Sequence, residues 1–172
     1  HKMCGPSGMG GLWGRYELLE SLRSIQSGGQ TVETSYYDSL KWAAPPSKFE
    51  GGLGNFAGMI ASGKAIQYLS KLDMNAVHEH EIKLNNIITN KIKHLDAIEI
   101  IGPENANQRG GICSILMGDL PSHDIAILLD EAAGIMVRSG QHCVHSWFNA
   151  RGHENGSLRA SAYFYNTEED VK

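Results

Sequence analysis

The feature that most constrains this chain is a change of hydrophobic period that repeats after residue 75. Leu84, Ile88, Ile92 and Leu95 fall at helical spacing within residues 78–95, whereas residues 98–101 and 111–117 are short apolar runs. Ile125, Leu128, Leu129 and Ala132 return to the helical period, and Leu158, Ala160, Ala162 and Phe164 then alternate with Arg159, Ser161, Tyr163 and Tyr165. A period near 3.6 buries one stripe of a helix and a period of two buries one face of a strand, so each needs a second layer to cover it. The order helix, strand, strand, helix, strand, strand therefore predicts a compact α/β module with helices on one sheet face.

Local chemistry fills in the remaining elements. Residues 1–14, HKMCGPSGMGGLWG, hold five glycines and a proline, which predicts a tight turn leading into a short apolar strand. Residues 16–25 have helical spacing that ends near Gly28 and Gly29, and residues 30–54 are expected to be irregular around Pro45 and Pro46. In residues 55–72, Met59, Gly63, Ile66 and Leu69 share one side of a helix, and small residues allow close packing. Further on, Glu79 and Lys83 can pair across one helical turn. Ser122 is expected to cap its helix and Gly134 to end it, residues 135–137 to form a short strand, and 141–150 a short helix.

Composition excludes several functions. With 15 basic and 19 acidic residues intermixed at a net charge of -4, the chain lacks the basic footprint of a nucleic-acid binder. No apolar run approaches the roughly 20 residues that cross a bilayer, so no membrane partner is expected and the cytoplasm is the default location. Cys4, Cys113 and Cys143 are too few for a disulfide framework. His142, Cys143 and His145 include metal-ligand types, but they lack a fourth ligand and a zinc spacing, so no metal is expected.

Four separated stretches carry a family signal: HKMCGPSGMGGLWG, FEGGLGN, RSGQHC and LRASAYFYNTEEDV. Together they resemble the cysteine desulfurase branch of the class V aminotransferases, enzymes of fold type I that depend on pyridoxal 5'-phosphate. The resemblance implies the C-terminal portion of such a transferase. Residues 1–74 would belong to the large cofactor-binding domain, starting at the lysine motif, and residues 75–172 would form the small C-terminal α/β domain.

Taken alone, His1 and Lys2 would be an ordinary surface pair. The resemblance makes Lys2 the catalytic amine that tethers the cofactor aldehyde and places His1 beside its phosphate. It sets Arg159 against the substrate carboxylate, where a planar guanidinium can make two charge-assisted hydrogen bonds. Gln141, His142 and Cys143 would form an active-site loop. The implied function is a desulfurase-like reaction on an amino acid. The implied assembly is a homodimer, or pairing with an upstream large-domain segment that supplies the rest of the pocket.

Two departures are visible. The resemblance places the sulfur-accepting cysteine immediately before the arginine of the RAS motif, where this chain has Leu158, so the usual persulfide cysteine is expected to be absent. Sulfur removal would then need a mobile thiol from a partner or another loop. In FEGGLGN, Leu53 and Gly54 stand where the family has threonine and proline, which removes a hydroxyl expected to bind phosphate across a dimer. A class V aminotransferase with another substrate, or a non-catalytic scaffold module, is the alternative reading.

Overall fold

The computed structural model describes residues 2–172 and divides into two compact units, the first ending at Lys71 and the second spanning Leu72–Lys172. His1 and its expected phosphate contact lie outside the described residues.

In the first unit, helix α1 (Tyr16–Ser21) is followed by an antiparallel hairpin of β1 (Val32–Ser35) and β2 (Leu40–Trp42) and by helix α2 (Phe56–Leu69). Asn55 starts α2 by accepting a hydrogen bond from the Gly58 amide at 3.0 Å, which satisfies one of the free N–H groups of a first helical turn. Gly58 also lets the opening loop lie on the helix, because a Cβ there would come within 2.5 Å of Met9 Sδ. Lys48 is buried, and its Nζ donates to the carbonyl oxygens of Glu20 at 2.8 Å and Leu19 at 3.5 Å. The ammonium group thus meets the unpaired carbonyl end of α1, where the helix dipole favours a cation.

The second unit opens with helix α3 (Met74–Ile92), whose cap is Asp73: its carboxylate accepts from the amides of Asn75 and Ala76. Strands β3 (Glu99–Ile101) and β4 (Ile112–Leu116), helix α4 (Ser122–Ala133), strand β5 (Arg138–Gly140), helix α5 (His145–Asn149) and strand β6 (Ser157–Ser161) follow. The strands form one antiparallel sheet in the order β3-β4-β6-β5, with α3 packed on β4 and α4 on β5 and β6. Leu84, Cys113, Leu116, Ile125, Phe148 and Leu158 close the core between these layers. Burying one such side chain contributes about 1.5–3 kcal/mol. This central position of β6, paired on both edges, fixes the height and direction of Arg159.

Several expectations are corrected. The strand expected after the opening turn is absent among the described residues, because its backbone groups find no neighbouring strand there to pair with, and Leu12 and Trp13 stand exposed. The hairpin β1–β2 occupies a region expected to be irregular. The strand expected at 135–137 lies at Arg138–Gly140, set by pairing of Gly140 with Ser157. Pro121, not Ser122, holds the cap position of α4. The Ser122 hydroxyl instead donates to the Asn155 carbonyl at 2.6 Å and accepts from the Gly140 amide at 3.2 Å. Lys83 pairs with Glu168 rather than with Glu79. No helix among the described residues is long and apolar enough to cross a membrane.

Candidate active site

Lys2 begins a tight turn in the first unit. The Gly5 amide donates to the Lys2 carbonyl at 3.1 Å, and the two residues between, Met3 and Cys4, have φ of 55° and 58°. Positive φ at both central positions defines a type I′ turn, a form that glycine and asparagine normally occupy. Holding a non-glycine residue there costs about 1 kcal/mol or more, and such strain concentrates at functional sites. Lys2 is exposed at a cavity of about 110 Å³ shared with Met9, Gly10, Gly11, Ser62 and Ile66. The Ser62 hydroxyl oxygen is buried there without a hydrogen-bond partner.

The second unit repeats the device. The Val144 amide donates to the Gln141 carbonyl at 2.9 Å, and His142 and Cys143 between them have φ of 49° and 65°. This second type I′ turn leaves the Cys143 thiol exposed. The Gln141 amide nitrogen donates to Asn149 Oδ1 at 2.9 Å and to the Glu154 carbonyl at 3.0 Å. His142 Nε2 lies 3.2 Å from the Ser157 carbonyl and 3.1 Å from its hydroxyl. A carbonyl only accepts, so Nε2 carries the hydrogen and Nδ1 is left as a lone pair, buried with no partner.

His142 ties this turn to the strand that carries Arg159. Across β5 and β6, Arg138 is paired directly with Arg159. Opposite residues on adjacent antiparallel strands project from the same face, and like charges so placed repel unless an anion lies between them. Arg159 Nε is buried with no hydrogen-bond partner. Burial first, then the charge of Arg159, pushes the His142 pKa below its ordinary 6.5; the Ser157 backbone bond opposes this, and Arg138 adds to the lowering. The cluster offers a neutral imidazole and two guanidinium groups, a set suited to a carboxylate.

The structure therefore groups Arg159 with His142, and through the same turn with Gln141 and Cys143, inside the second unit. Lys2 lies in the first. Sequence reasoning missed Arg138 and Ser157. Both stand within or beside the quoted stretches RSGQHC and LRASAYFY, but the register that sets Arg138 opposite Arg159 and brings Ser157 to His142 becomes visible only once the strands pair. Cys113 is buried under the sheet, where desolvation pushes its pKa up while Arg109 Nη1, donating to its sulfur at 3.4 Å, counteracts this in part. Such a thiol is a packing residue. Leu53 is exposed in the FEGGLGN loop and offers no hydroxyl to an anion. Among the described residues, no group of three or more His, Cys, Asp or Glu side chains is arranged to hold a metal ion.

A family model described as aminotransferase class-V matches residues 1–172. A probable cysteine desulfurase of Streptomyces coelicolor is 39% identical over 171 residues, covering 99% of this chain and 40% of that relative. Among solved structures, the cysteine desulfurase CsdA of Escherichia coli superposes with a TM-score of 0.88 at 30% identity, across 99% of this chain and 41% of that one. An apo cysteine desulfurase of Thermococcus onnurineus superposes with a TM-score of 0.81 at 32% identity, across 91% of this chain and 38% of its own. The fold is thus an α/β portion of a fold type I enzyme, and the chain spans about 40% of the length of the curated relatives it matches.

Proposed function

Because this chain belongs to the class-V aminotransferase family, we propose that it is the C-terminal portion of a cysteine desulfurase-like enzyme that uses pyridoxal 5'-phosphate on an amino-acid substrate. Residues 1–74 then belong to the large cofactor-binding domain and 75–172 to the small domain. A homodimer, or an upstream large-domain segment, completes the pocket. The observation that carries the reading is the Arg138–Arg159 pair, with a buried unpaired Nε on Arg159, tied through His142 to a turn that exposes a thiol.

The residues around Lys2 fit the aldehyde end of the cofactor. Its amine is exposed, an orphaned hydroxyl stands in the same cavity, and added Cβ atoms at Gly10 and Gly11 would meet nothing within 4 Å, so a ring can approach the backbone. When bound, the cofactor supplies an electron sink for negative charge at the substrate carbon. Arg159, with Arg138 opposite it, holds the substrate carboxylate. His142 stays neutral beside both guanidinium groups and keeps the Cys143 turn in place.

Cys143 is the sulfur acceptor in this reading. Position 158, where the resemblance sets the family's sulfur-accepting cysteine, holds a leucine that is 2% exposed in the core and supplies no thiol. The Cys143 thiolate attacks the sulfur of substrate cysteine. An S–S bond forms, the Cβ–S bond breaks with its electron pair staying on carbon, and proton uptake there yields alanine and a Cys143 persulfide.

The test uses the full-length protein loaded with pyridoxal 5'-phosphate and supplied with cysteine and a reductant. Alanine and sulfide should form together, Lys2→Ala should remove both, and Cys143→Ser should lower sulfide by roughly a hundredfold or more. Neither product above the Lys2→Ala background would sink the reading. A keto-acid product without sulfide would instead identify an aminotransferase.

A further inference from the structure

A turn with two consecutive left-handed, non-glycine residues relaxes unless its ends are held. At the Cys143 turn one anchor is His142, whose ring meets Ser157 on β6. The other anchor is the Gln141 side chain. Its amide nitrogen has two hydrogens, one going to Asn149 Oδ1 and one to the Glu154 carbonyl, so its donor capacity is fully used. The carbonyl acceptor also fixes which end of the amide faces it, because an oxygen there would meet another oxygen. Asn149 is the last residue of α5 and Glu154 lies in the loop leading to β6, so one carboxamide joins the turn to both segments that follow it.

We propose that Gln141 is a positioning residue: its carboxamide is a strut that keeps the left-handed turn closed and sets where the Cys143 thiol stands, without touching substrate or cofactor. The inference rests on reading Cys143 as the sulfur acceptor, but its mechanical content can be measured with no cofactor present.

Gln141→Ala in the full-length protein removes two solvent-reachable hydrogen bonds, enough to make turn opening about tenfold more frequent. The Val144 amide, which closes the turn, should exchange its hydrogen about tenfold faster. Iodoacetamide should alkylate Cys143 severalfold faster relative to the exposed Cys4 in the same molecule. Gln141→His provides the rescue: its ring Nε2 reaches as far from Cβ as the amide nitrogen does and carries one donor, so both readouts should fall to about threefold. Asn149→Ala, which removes one acceptor and leaves Gln141 intact, should give a similar threefold change and serves if Gln141→Ala does not fold.

Unchanged Val144 exchange and an unchanged Cys143-to-Cys4 ratio would overturn the strut. Equal acceleration throughout β5 and β6, with no recovery in Gln141→His, would also overturn it, since that is the signature of general loosening. If the local shifts appear but the unsubstituted protein never forms a Cys143 persulfide, the strut stands and the sulfur-acceptor role fails.

Discussion

The two units bury different chemistry. In the second, Leu84, Cys113, Leu116, Ile125, Phe148 and Leu158 make a closed apolar core. In the first, the buried side chains among the described residues are those of Ser24, Thr31 and Lys48, while Leu12, Trp13, Ile25 and Tyr37 are exposed. The first unit is instead clasped by polar bonds to its own backbone: Thr31 Oγ1 meets both the amide and the carbonyl of Gly28 at 2.8 Å, and Lys48 holds the end of α1. Yet both units carry the same kind of corner, at Lys2–Gly5 and at Gln141–Val144. The difference teaches that a unit can be held by a packed apolar core or by polar bonds to its own backbone, and that the two supports fail under different substitutions.

The largest expected effect is on the packed side. Phe148→Ala, which empties a site beside His142 and Trp147, should cost about 3–5 kcal/mol, with faster hydrogen exchange in β4 and β6 and none added in α2. Loosening of both units together would break the comparison. Next comes Lys48→Met, which should cost about 1–3 kcal/mol by leaving the Glu20 carbonyl without its donor, read as faster exchange confined to α1 and its neighbours. A neutral result would mean that desolvating the ammonium group cancels its bonds, and the idea of a polar clasp would need revision.

The smallest effect is a pH dependence. Because burial and the two arginines depress the His142 pKa, the unfolded chain binds a proton there more readily than the folded one. That contribution to stability is whole above pH 6.5 and is lost as pH falls from 6.5 through the lower folded value. Denaturant midpoints compared at pH 7.5 and 5.5 should drop more in the native protein than in His142→Asn. Equal drops would show that the imidazole is not held neutral.

Much of the second unit was legible because its elements are long or strongly periodic. The stripes of α3 and α4 and the alternation through Leu158 and Ala160 each bury one face, and burial is what periodicity reports. What escaped depends on partners. Val32–Ser35 and Leu40–Trp42 are short and largely exposed, so their pattern carries little burial signal. The apolar run at 135–137 resembled a strand, but backbone pairing begins at Arg138, where β6 offers a register. At the site, Arg159, Gln141, His142 and Cys143 could be picked out by motif. That Leu158 faces the core was not legible in the motif, because a motif gives order along the chain and says nothing of which side chains are buried. Arg138 and Ser157 emerged only from pairing.

The two left-handed corners also narrow what mutation can explore. Valine, isoleucine or threonine at Met3, Cys4, His142 or Cys143 would crowd a backbone already at positive φ, whereas glycine or asparagine would settle there with ease. Drift at these four codons therefore runs downhill toward relaxed corners that lack the thiol or the imidazole, so retaining those groups means working against the local preference of the chain.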